Sequence, residues 1–99
     1  MPNPSKRKGD GFEREVVDIL KQSGLTAKKI PLSGAIEGFK GDIQLWKAGR
    51  YRTLECKRRR RGFSTLYGWL ADNYALVVRD DRTEPLVVMR LTDFAEISR

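Results

Sequence analysis

An acid at position 42, a second at 55 and a lysine at 57 form a set that chemistry can use: Asp42, then Glu55-Cys56-Lys57. Two carboxylates held side by side repel each other unless a cation lies between them, and an adjacent ammonium can act on whatever that cation binds. Whether these groups meet depends on the chain that carries them. Gly41 to Trp46 and Tyr51 to Lys57 read as the strands of a hairpin, joined through Lys47-Ala48-Gly49-Arg50, whose glycine suits a tight turn. A symmetric two- or four-residue loop pairs Trp46 with Tyr51, Gln44 with Thr53, and Asp42 with Glu55. Residues opposed in this way share a face, with Cβ atoms about 4.5–5.5 Å apart. Lys57 joins that face because side chains alternate along a strand. Ile43, Leu45, Leu54 and Cys56 turn to the other face and offer a core an apolar surface. The plainer possibility is a surface Glu55–Lys57 ion pair and an Asp42 that serves a turn.

Composition narrows the chemistry. The 99 residues include no histidine and one cysteine. That excludes Ser-His-Asp and Cys-His nucleophilic machinery and every His-ligated metal, and it argues against zinc. A metal here would be hard, magnesium or manganese, held by carboxylates and carbonyls. A lone cysteine precludes an internal disulfide and fits a reducing compartment. No stretch approaches the roughly 20 apolar residues of a membrane span. The N-terminal MPNPSKRKGDG carries charge with no apolar run behind it, unlike a secretory signal. A cytoplasmic protein without a membrane partner is expected.

Twenty Lys and Arg against thirteen acids give a net charge of +7 and a pI near 9.9, the balance of a domain that meets a polyanion. The charge is clustered at Lys6-Arg7-Lys8 and in Lys57-Arg58-Arg59-Arg60-Arg61, which runs straight out of the acid-bearing strand. A solvated face or a localisation signal is the alternative use of such a run. Its place beside the acids favours phosphate binding. Nucleic acid is preferred to anionic lipid, because no amphipathic basic helix accompanies the charge.

The elements that must position these groups read as follows. Residues 1–9 form a flexible basic arm, and residues 10–99 a single domain. A first helix spans Gly11 to Gln22, with Asp10 as its N-cap and Gly24 closing it. Phe12, Val16, Ile19 and Leu20 form its apolar stripe, and Glu13 falls inside that arc while Arg14, Asp18 and Lys21 lie opposite. A strand at about Thr26 to Pro31 and a Gly-rich loop from Leu32 to Lys40 lead into the hairpin. Phe63 to Ala71 reads as a second helix, with Phe63, Leu66, Tyr67 and Leu70 spaced for burial. Strands at Tyr74 to Arg79 and Leu86 to Leu91 follow, and Thr92 can cap a last helix through Ile97. The order αβββαββα suggests an α/β domain with one mixed, five-stranded sheet flanked by helices.

The motifs also occur in a known order. Lys8-Gly9 and Phe12-Glu13-Arg14-Glu15, then Ser33-Gly34, Gly41-Asp42 and Glu55-Cys56-Lys57 resemble the archaeal-type Holliday junction resolvases, part of the wider PD-(D/E)XK nuclease group. The resemblance covers roughly residues 8 to 60. It implies a restriction-endonuclease-like fold, a magnesium-dependent phosphodiesterase in which Mn2+ substitutes, and a homodimer that cuts branched DNA. By that resemblance Asp42 and Glu55 hold the metal, helped by the backbone carbonyl of Cys56. Lys57 orients or deprotonates the attacking water and stabilises the phosphorane charge. Glu13 assists from the first helix, also as a possible metal ligand, and Ser33 contributes from the loop.

Each role has a plainer rival. Glu13 stands three residues after Asp10, as in a capping box; Ser33 can be a loop residue, Arg14 can face solvent, and Cys56 suits the core. Gly rather than Pro precedes Asp42, and the chain after residue 60 is short for a resolvase. Flaps, duplex or single strands are therefore alternative substrates. A non-catalytic nucleic-acid-binding module built on Arg58 to Arg61 with Trp46, Tyr67 and Trp69 is a second function class. A structural protein of a nucleoprotein particle is a third.

Overall fold

A computed structural model describes residues 4–31 and 41–99, with side chains from residue 11 onward. Helix α1 (Pro4–Gln22) opens on a proline, whose missing N–H and fixed φ cost nothing in a first turn. The expected start at Gly11 is thus corrected. Asp10 lies within the helix rather than at its cap, and the capping-box reading of Glu13 loses its helix start. The helix ends as expected at Gly24, at φ 89°. There Gly24 N donates to Lys21 O at 2.9 Å and Leu25 N to Leu20 O at 3.1 Å, the paired bonds of a Schellman motif.

Strands β1 (Ala27–Lys29), β2 (Ile43–Lys47) and β3 (Arg50–Leu54) form an antiparallel sheet in the order β1-β2-β3. Trp46 pairs with Tyr51 and Gln44 with Thr53, the register that the symmetric loop predicts. The turn itself is two residues, Ala48 and Gly49, both at positive φ (56° and 82°). That is the type I′ geometry whose twist matches the flanking strands. One face of the sheet is buried: Ile43 and Leu45 meet Val16, Val17 and Leu20 of α1, together with Ala27 and with Ala95 of the last helix. The opposite face carries Trp46 edge-on to Tyr51, ring centroids 5.0 Å apart, with Lys28 Nζ 4.8 Å from the Tyr51 ring.

Helix α2 (Ser64–Leu70), strands β4 (Ala75–Val78) and β5 (Leu86–Met89), and helix α3 (Leu91–Ile97) complete the described chain. The strands β4 and β5 pair only with each other, antiparallel. The single mixed five-stranded sheet is therefore corrected to two antiparallel sheets of three and two strands. The reason lies where β3 ends. Past Leu54 the Cys56 N–H is taken by a side chain rather than offered to a new strand. A groove of about 610 Å³ is lined by Glu55–Lys57 and by Val87–Met89 of β5, together with Val16, Leu54 and Phe94. Arg90 ties the second sheet to α2 by donating to the carbonyls of Ala71 and Asn73. Arg90, not Thr92, is the N-cap of α3, and it makes no side-chain capping bond. In α2 only Leu70 is buried, and Tyr67, spaced for burial in the sequence, is 76% exposed.

Candidate active site and basic groove

The acids sit where the β2–β3 ladder stops. Regular pairing ends at Ile43 with Leu54, so the expected ladder pair of Asp42 with Glu55 does not form. Asp42 N instead donates to Leu54 O at 2.8 Å, and Cys56 N donates to Asp42 Oδ2 at 2.7 Å. The carboxylate takes the place of a backbone carbonyl and so reaches across to the Glu55-Cys56-Lys57 segment. A charged acceptor makes this a stronger bond than a ladder bond.

Gly41 makes that crossing possible. It sits at φ 85°, and a Cβ there would lie 3.0 Å from both Leu54 O and Thr53 Cβ. A side chain would strain the backbone and push Asp42 off β3. Gly41→Ala is expected to cost about 1–3 kcal/mol of stability, read as a lower urea midpoint. An unchanged midpoint would mean that this close approach does not hold in solution.

Glu55 and Lys57 stand together, Nζ to Oε1 3.2 Å, and both are more than half exposed. An ion pair this exposed contributes little to stability. Its consequence is positional, since it keeps an ammonium beside the acids. Glu13 continues the buried stripe of α1, one turn before Val16 and Val17. Its side chain is 14% exposed and lies 3.5 Å from Lys29 Nζ. Sequence reasoning missed Lys29. The signal was available, because alternation places Lys29 on the same inward face of β1 as buried Ala27.

Cys56 reports how these groups converge. It is half-buried against the core, as its alternation requires, and its thiol is pushed up to about 11. Burial is the largest cause, followed by the charges of Asp42, Glu13 and Glu55. Three carboxylates thus act on one sulfur, which stays protonated at neutral pH. Among the described residues, no group of three or more His, Cys, Asp and Glu side chains stands close enough to hold a metal ion by itself. The acids that act together on Cys56 are Asp42, Glu13 and Glu55, all hard oxygen donors. They fit magnesium, which is commonly held by one or two carboxylates and keeps several waters.

From Lys57 the chain enters a groove of about 650 Å³, lined by Arg58 to Arg61 together with Phe12, Glu15, Phe63 and Tyr67. All four arginines are exposed. Arg59 lies over the Phe63 ring, 5.7 Å from its centroid. Arg14 is exposed on α1. Lys6, Arg7 and Lys8 fall in the first turns of α1, and Ser33 lies outside the described residues.

The family model of the archaeal Holliday junction resolvase (Hjc) matches residues 4–68. That span holds α1, the three-stranded sheet, every acid named above and most of α2. No curated protein and no solved structure matches the chain. No helix among the described residues is long and apolar enough to cross a membrane.

Proposed function

Because the chain belongs to the archaeal Holliday junction resolvase family, a family of nucleases acting on DNA, we propose that it is a magnesium-dependent, structure-selective endonuclease that hydrolyses phosphodiester bonds at DNA branch points. The observation that carries this reading is the end of the β2–β3 hairpin. There Asp42 is bonded to the Glu55-Cys56-Lys57 segment, and Lys57 opens directly into an arginine-lined groove.

Asp42, Glu55 and the main-chain carbonyl of Cys56 are the residues that would hold magnesium, with Glu13 behind them. When bound, a hard divalent cation polarises a phosphoryl oxygen and lowers the pKa of its water. The chain's own residues do the rest. Asp42, fixed by the Cys56 N–H, keeps one carboxylate in place whatever substrate arrives. Lys57 holds three N–H donors beside the acids; it orients the attacking water and offsets the extra charge of the pentacoordinate phosphorus. Its pairing with Glu55 preorganises that ammonium. Arg58 to Arg61 bind phosphates on either side of the scissile bond and set register without reading sequence. A homodimer would supply two such sites for the two strands of a branch. In this reading the protein serves DNA recombination and repair.

The test is cleavage of a labelled four-way junction, a flap, a matched duplex and a single strand, with and without magnesium, by wild type and Glu55→Gln. Magnesium-dependent paired cuts in the junction, lost in the variant, are the expected result. Equal cutting of all four substrates would retain the nuclease and remove branch selectivity. Binding without Glu55-dependent cleavage of any substrate would overturn the proposal in favour of a non-catalytic binding module.

A further inference from the structure

The groove beside the acids contains more than phosphate ligands. Phe63 and Tyr67 stand four residues apart at the start of α2, so their rings follow one another along a single face. The Phe63 ring is already covered on one side by the Arg59 guanidinium. Tyr67 is not spent in this way: 76% of it is exposed, although it lines the same groove as the arginines. A tyrosine ring exposed among cations presents a π-face on which a planar group can stack.

Duplex DNA offers no such plane. Its bases are stacked inside, so arginines along it reach phosphates, sugars and base edges but no free base face. A nucleotide outside a helix offers a free π-face, and phosphate-binding arginines interleaved with aromatic rings are the usual means of holding one. Resting on the nuclease reading above, we propose that the Arg58–Arg61 groove binds a nucleotide whose base is unstacked at the DNA branch or unpaired beside it, the base stacked on Tyr67 and its phosphates held by the arginines. The cleavage site would then be measured from that exposed base. Lys57 belongs both to this groove and to the Glu55 ion pair, so the stacked nucleotide lies next to the bond to be cut. Among the described residues Glu15 is the one acid lining the groove, and its charge would repel a phosphate that came close to it.

The experiment needs no cleavage. A splayed duplex carries 2-aminopurine in its unpaired arm, a blunt duplex carries it in a pair, and both are titrated in EDTA with wild type, Tyr67→Ala and Tyr67→Phe. Wild type is expected to quench the unpaired fluorophore. Tyr67→Ala is expected to lose that quench and to bind the splayed duplex roughly tenfold more weakly, with blunt-duplex affinity unchanged. Tyr67→Phe, which keeps the ring, is expected to behave as wild type. Undiminished quenching and affinity in Tyr67→Ala would overturn the proposal, and so would an equal loss on both duplexes. If wild type quenches but shows no Glu55-dependent cutting in the assay above, the groove stands and the catalytic reading falls.

Discussion

Lys57→Ala is expected to slow cleavage of the preferred substrate by roughly 10²–10³-fold while leaving its affinity within a fewfold of wild type. The size follows from the place of the ammonium, 3.2 Å from Glu55 and outside the core. Removing one preorganised donor to developing charge typically costs about 10²–10³ in turnover. The exposed pair contributes little to stability, so a thermal melt should not move. Lys57→Arg separates two roles. A guanidinium still supplies positive charge but cannot act as a base, so a strong rescue would assign Lys57 to charge stabilisation and no rescue to handling the water. Unchanged single-turnover rates in Lys57→Ala would remove the residue from the reaction.

The second large effect is expected at Asp42, where two substitutions distinguish chemistry from structure. Asp42→Asn keeps an oxygen that can accept from Cys56 N but forfeits the charge that would hold a cation. It should fold near normally and lose about a thousandfold in rate, the equivalent of several kcal/mol of lost charge stabilisation. Asp42→Ala also leaves the Cys56 N–H without its acceptor, a bond of 2.7 Å in a half-buried setting. It should therefore lose the activity and in addition about 1–3 kcal/mol of stability. Urea unfolding of both variants, together with single-turnover cleavage, separates the outcomes. Equal stability of the two variants would show that the Asp42–Cys56 bond does not support the fold, and an active Asp42→Asn would exclude Asp42 as a metal ligand.

The parts of this structure that could be read from the sequence are those set by short-range periodicity. The hairpin register follows from a two-residue turn and strict alternation, which put Ile43 and Leu45 in the core and Trp46 opposite Tyr51. Alternation could not show that regular pairing would stop at Ile43. That depends on the backbone of Gly41 coming against Leu54, a contact with no local signature. The division into two sheets escaped for a similar reason. Strands β4 and β5 were each legible, but which edge they join depends on the groove between β5 and the Cys56 segment. Tyr67 misled because spacing identifies a helix face without saying whether protein covers it. Here the face turns to an open groove. Pro4 and Asp10 both carry N-terminal helix signals, and the more distant one marks the start.

The length of the Ala48-Gly49 turn belongs to the site as much as the acids do. Inserting one residue there would shift β3 against β2 by one position, and a slip of one position exchanges the two faces of a strand. Leu54 and Cys56 would then face solvent, while Glu55 and Lys57 would be driven toward Val16 and Leu20. Insertions elsewhere, such as in the Asp80–Pro85 turn of the second sheet, leave that alternation alone. The tolerance of this chain to changes in length is therefore very uneven: a reading frame runs through its hairpin, and two residues at the tip keep it.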